Sequence, residues 1–287
     1  MPVIGLALWV ACMDGSADKG AGDDTDSDVG VDSDGPVDTD LVEDTDAPAT
    51  PCEGGAVVWL RGTNYLLLQE ALDDALPGDV LELCAGVHVV HARYLGAGPL
   101  TLEGRTGDPA DVVLVGDPLR HILDVYRPEG VDLTLRHLTF RGARTTTEGS
   151  AVRVEVDPVD TTASVTIEGC HFEDNVSEFP GSAVFLQGLA DVVVMDTSFV
   201  RNRAWNGPAL SIDVPRRSVR LRGVRFEANE GGRTGGVDVV RADRTLETLT
   251  VDIEDATFLN QVGLRGATGS ALYIASDAPG RTNVRIA

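Results

Sequence analysis

The chain has 287 residues, with 46 Asp plus Glu against 23 Lys plus Arg and a formal net charge of −23. That balance repels phosphate backbones and argues against nucleic acid as a partner, and no apolar run reaches the ~20 residues a membrane-spanning helix needs. With 43% hydrophobic residues, 32 Gly and 5% aromatics, the composition allows a real core and predicts many short β-segments joined by tight turns.

Residues 1–12 begin with an apolar, uncharged stretch, MPVIGLALWVA, that runs into Cys12, where composition changes abruptly. This segment resembles a bacterial lipoprotein signal peptide, in which a small residue precedes the cysteine that is acylated. The resemblance implies lipidation at Cys12, export, and a place at the outer membrane or cell surface, with the lipid anchor as the sole membrane contact.

Residues 13–51 hold twelve Asp, one Glu and the single Lys of the chain, Lys19, a local balance of −12 that leaves −11 elsewhere. Such a run cannot bury enough apolar surface to offset its ordering entropy, and it reads as a disordered, self-repelling tether. The stretch Asp32-Ser33-Asp34-Gly35 suggests a calcium loop, but Gly30 and Leu41 occupy positions where that loop needs carboxylates. All 22 Arg lie beyond residue 60, so no lysine chemistry is open to the rest of the chain.

An exported protein retains disulfides. Cys52 ends the tether and Cys84 lies in the first ordered coil, so a bond between them is expected to pin the start of the fold. Residues 68–83 (LQEALDDALPGDVLEL) read as an amphipathic helix, a Pro77-Gly78 stop and a first strand.

Beyond this the chain repeats. Phe140, Phe172, Phe199, Phe226 and Phe258 recur at spacings of 32, 27, 27 and 32 residues, and three of them are followed at the third position by Asn175, Asn202 and Asn229. A small-residue turn follows each Phe: Gly149-Ser150-Ala151, Gly181-Ser182-Ala183, Gly207-Pro208-Ala209, Gly235-Gly236-Val237 and Gly269-Ser270-Ala271. Aligned on Phe, the positions seven and five before it are wholly aliphatic, which marks inward columns of period two. After the turn, Val154, Leu186, Ile212, Val240 and Ile274 form another such column, whereas Asp238 breaks the neighbouring column of Val152, Val184, Leu210 and Leu272.

One copy is too short to bury its own apolar face, so the copies must stack as a solenoid. Like-oriented strands every ~30 residues without intervening helices give a parallel β-helix. Residues 56 to 287 resemble the right-handed parallel β-helix repeat family, the pectate-lyase-like superfamily. The resemblance implies an all-β solenoid of about seven coils over 52–287, opened by a capping helix. Thr282 to Ala287 (TNVRIA) reads as a further strand without a polar cap, so the domain is expected to be cut short there or to pair with another chain.

Chemistry is sparse. Cys170 falls in an inward column and reads as a core residue. His88, His91, His121 and His137 share no ligand spacing, so no metal ligand, cofactor or catalytic residue is assigned. Outward charges predict a ladder, with Arg136 near Glu168, Arg222 near Glu254 and Arg220 near Asp252. The superfamily's enzyme signatures are missing. What remains is a candidate ligand surface: Trp205 in the loop Arg201-Asn202-Arg203-Ala204-Trp205, with Arg203, and the outward residues Phe185, Asp213 and Tyr273. The chain is therefore read as a non-catalytic, surface-anchored rod whose partner is an extracellular polysaccharide or a surface protein. The alternative is a polysaccharide lyase or glycoside hydrolase.

Overall fold

The computed structural model describes residues 8–11, 52–96, 98–127, 131–156, 162–205, 207–232, 234–241, 247–263, 270–277 and 280–287. Cys12 and the Asp-rich stretch 13–51 lie outside the described residues. The fold is an all-β parallel solenoid with four sheets as its sides. One coil can be followed through Ser164–Glu168 on the first sheet, His171–Glu173 on the second, Val176–Ser177 on the third and Val184–Gln187 on the fourth. The fourth sheet has eight strands, and Leu8–Ala11, at its edge, is antiparallel to Ser270–Ser276. The other seven are parallel and define six steps, so the solenoid makes about six turns. That is about one turn fewer than the seven expected from the sequence.

Alternation builds each side. Val165 and Ile167 are buried while Ser164, Thr166 and Glu168 face out, and the same pattern repeats at Asp191–Met195. Parallel pairing in strict register, Val165 on Val192 and Ile167 on Val194, carries the inward set from coil to coil. Phe140, Phe172, Phe199, Phe226 and Phe258 stack in one interior row, with ring centroids 4.8 to 5.1 Å apart and planes within 8° of parallel. That spacing is the strand separation, so each ring meets its neighbours without any change of rotamer.

Both corners flanking the second sheet are left-handed. His137, Gly169, Asp196, Gly223 and Asp255 occupy one, and Gly142, Asp174, Arg201, Ala228 and Asn260 the other, all with φ between 47° and 69°. Gly169 is needed on two counts. Its φ is +58°, and a Cβ there would stand 2.8 Å from the His137 ring of the coil below.

Inside the second corner a buried amide ladder joins the coils beside backbone bonds such as the Arg203 N–H to the Asn175 carbonyl at 2.8 Å. The Asn175 side chain donates to the Phe140 carbonyl at 3.0 Å and its Oδ1 accepts from the Ala143 N–H at 3.0 Å. Asn202 donates to Phe172 O at 2.9 Å and accepts from the Asn175 N–H and Nδ2, and Asn229 repeats the arrangement above it. The ladder ends on Gln261, whose Oε1 accepts from Asn229 Nδ2 at 3.3 Å. All three asparagines are fully buried, so these bonds also remove the cost of unpaired polar groups.

At the N-terminal end the hairpin Val58–Leu60 and Thr63–Tyr65 pairs antiparallel with Asp79–Leu83, the first parallel strand of the first sheet. Helix Leu68–Asp73 buries Leu68, Ala71 and Leu72 in the same core as the coils. The Gln69 amide bonds both backbone groups of Arg93, on the edge strand of the fourth sheet, at 2.7 and 3.0 Å. Cys52 and Cys84 are disulfide-bonded, with Cα atoms 5.7 Å apart.

The register corrects the sequence columns at one coil. Leu210 pairs with Val237, Ser211 with Asp238 and Ile212 with Val239. Val237 and Val239 therefore fill the inward columns, and Asp238 belongs to the outward one. Val240 stands beside Asp213. A bulge between Thr234 and Val237 supplies the one-residue shift that alignment on Gly235-Gly236 conceals. Asp238 is nevertheless 2% exposed and accepts from the Thr234 hydroxyl.

Candidate functional site

The third sheet is the narrowest side, with two residues per strand, and its outward column runs Arg144, Val176, Arg203, Glu230, Val262. Loops from this side to the fourth sheet differ in length from coil to coil. Two of them, after Val176–Ser177 and after Arg203–Ala204, carry Phe179 and Trp205, each 44% exposed. The Ser177 hydroxyl accepts from the Phe179 N–H at 3.1 Å and bonds its carbonyl, so this turn is locally fixed. With Arg144, Val176, Ser177, Glu178 and Arg203 the two aromatics line a cleft of about 610 Å³.

The lining is apolar at Val176, aromatic at Phe179 and Trp205, and cationic at Arg144 and Arg203. Arg203 pairs with Glu230 at 3.2 Å. Arg144 forms no ion pair among the described residues. Flat apolar faces beside hydrogen-bond donors can hold a ring that has one apolar face and polar edges.

Of the residues singled out in the sequence, the structure brings Trp205 and Arg203 together here and leaves Phe185, Asp213 and Tyr273 on the fourth sheet. Phe185 is not an open surface residue. It is only 6% exposed, because the turns at Gly149 and Gly181 run across it, with Cβ positions there 2.9 and 3.0 Å from the Phe185 Cβ. Outward parity on a strand does not guarantee access to solvent where a loop crosses the sheet. Asp213 sits between Gln187 and Val240, and Tyr273 next to Asp238. Sequence reasoning missed Phe179 and Arg144. An aromatic placed just before Pro180-Gly181, in the counterpart of the Trp205 loop, was the available signal for Phe179.

Elsewhere the titratable groups are arranged as follows. Arg136 closes on Glu168 at 3.0 Å, but Arg220 and Arg222 stand in register with Asp252 and Glu254 without an ion pair among the described residues. On the fourth sheet Asp124 is shared by Arg93 at 3.5 Å and Arg153 at 3.4 Å. His121 lies beside this group and donates from Nδ1 to the Gly149 carbonyl at 2.7 Å, and burial holds its pKa below the ordinary value. Cys170 is fully buried, and burial pushes its thiol pKa up to about 12, so it is a core residue and not a nucleophile. Among the described residues no group of three or more His, Cys, Asp or Glu side chains is placed to hold a metal ion, and no helix is long and apolar enough to cross a membrane.

The chain matches no family model, no curated protein and no solved structure.

Proposed function

We propose that this chain is a surface-anchored β-helix of the right-handed, pectate-lyase-like kind, and that its third-sheet cleft binds an extracellular glycan, or a surface protein offering the same chemistry, without cleaving it. In this reading Cys12 carries the lipid, residues 13–51 form the spacer, and helix 68–73 caps the first coil. The observation that carries the proposal is the cleft. Phe179 and Trp205 supply stacking faces from adjacent coils, and the guanidinium groups of Arg144 and Arg203 supply donors. Two exposed aromatics gathered at one place beside hydrogen-bond donors are what a saccharide ring or a protein contact requires.

The test uses the full chain against a panel of neutral and acidic glycans, with retention and cleavage scored separately. Retention that is lost on Trp205→Ala and on Phe179→Ala, without cleavage, is the expected result. Cleavage abolished by Asp213→Asn would replace the binding reading with a polysaccharide lyase or glycoside hydrolase. For the anchor, mass spectrometry of the membrane fraction should find Cys12 acylated, and a free Cys12 thiol on soluble protein would refute it.

A further inference from the structure

The outward column of the second sheet contains a juxtaposition that the binding reading does not use. Thr139, His171, Ser198, Arg225 and Thr257 stack one above another in register. His171 Nδ1 is 2.6 Å from the Ser198 hydroxyl, within hydrogen-bond distance. Both are half-buried, and they line a depression of about 360 Å³ together with Ala110, Val113, Thr139, Arg141, Glu173 and Val200. Glu173 is two residues from His171 on the same strand and face, and Arg141 stands one coil below it with its guanidinium 3.4 Å from the Glu173 carboxylate.

We propose that Ser198 and His171 form a nucleophile and base for the hydrolysis of small carboxylic esters, O-acyl groups on a saccharide or alcohol, in this depression. With its proton on Nε2, His171 presents the Nδ1 lone pair to the Ser198 O–H. Ser198 Oγ attacks the acyl carbon while its proton passes to Nδ1. The ester C–O bond then breaks, and the leaving alkoxide takes that proton and departs as the alcohol. Water repeats the sequence on the acyl-serine, giving the acid and restoring the hydroxyl. The net reaction is ester plus water to acid plus alcohol, with no further reactant.

The Ser198 N–H cannot bear the oxyanion, because it is already given to the Cys170 carbonyl at 3.0 Å. The positive charge in the depression is Arg141, so transition-state stabilisation falls to a side chain. This predicts a modest esterase.

His171 and Ser198 lie on the same two coils as Phe179 and Trp205, one corner away, but the site stands whether or not the cleft binds a glycan. The test treats the full chain with a fluorophosphonate probe and with p-nitrophenyl acetate. The expected result is a single label on Ser198, absent in Ser198→Ala, and ester hydrolysis that falls roughly 100-fold or more in both Ser198→Ala and His171→Gln, the range for loss of a positioned base. Thermal melts of the variants confirm that the coils remain folded. Labelling that persists in Ser198→Ala, or hydrolysis equal in wild type and both folded variants, would overturn the proposal.

Discussion

The corner between the second and third sheets and the corner between the third and fourth are made by the same coils, yet they behave in opposite ways. At the first, a left-handed residue two after Phe recurs in every coil and a buried amide three after Phe in four successive ones, and Asn202 and Asn229 each bond the amides of both neighbouring coils. A residue inserted there would interrupt the ladder for every coil above it. At the second, loops differ in length and composition, and this is where Phe179 and Trp205 are exposed. The contrast shows where a solenoid can afford variation. Both corners pass backbone bonds between coils, the Trp205 N–H to the Ser177 carbonyl at 3.1 Å among them, but the first also buries a bonded side-chain amide in successive coils, while at the second the Ser177 hydroxyl closes a turn within its own coil and leaves the Phe179 ring exposed.

The comparison can be broken most forcefully at the interior row. Phe199→Ala should cost about 3–5 kcal/mol in urea unfolding, since a fully buried ring stacked on both sides leaves a cavity that rigid coils cannot close. A loss below about 1 kcal/mol would show that the row is not a structural spine.

Asn202→Ala comes next, at about 3 kcal/mol. It strands the Phe172 carbonyl and the Asn175 N–H in a dry interior, each costing about 1–3 kcal/mol. Hydrogen exchange should then show the amides around 175 opening ahead of the rest, and uniform exchange would argue that water replaces the amide.

Gly169→Ala tests the left-handed corner and should cost about 2 kcal/mol, from its positive φ and from contact with His137. A neutral result in thermal unfolding would mean that the corner relaxes.

The pH response of His121 is smaller. Because its folded pKa lies below the unfolded one, the unfolded chain binds more protons as pH falls through the ordinary histidine range. Stability therefore declines on acidification across that window and is fully retained above it. His121→Asn should reduce the slope of stability against pH there, and an unchanged slope would assign it to other groups.

The smallest effect belongs to the loose corner. Trp205→Ala should change unfolding free energy by less than about 0.5 kcal/mol, as an exposed loop substitution does. A large loss would make Trp205 part of the packing.

Much of this architecture is legible in the residues themselves. Period-two alternation fixes which face of a strand is buried, and the recurrence of Phe at 27 and 32 residues fixes that the strands stack as coils, because both depend on local pattern and on identical neighbours. The asparagine column was visible for the same reason, although its terminus on Gln261 was not, since a different residue closes the last step.

Tertiary structure alone decided the rest. The bulge before Val237 shifts one strand by a residue and moves Asp238 from a broken inward column to an outward one, an outcome set by how the turn meets the coils on either side. Phe185 looked outward by parity and is covered by turns at Gly149 and Gly181. The cleft joins Arg144, Phe179 and Trp205 from three coils, and which side chains meet across loops of unequal length is a matter of where those loops end in space, which no periodicity in the chain encodes.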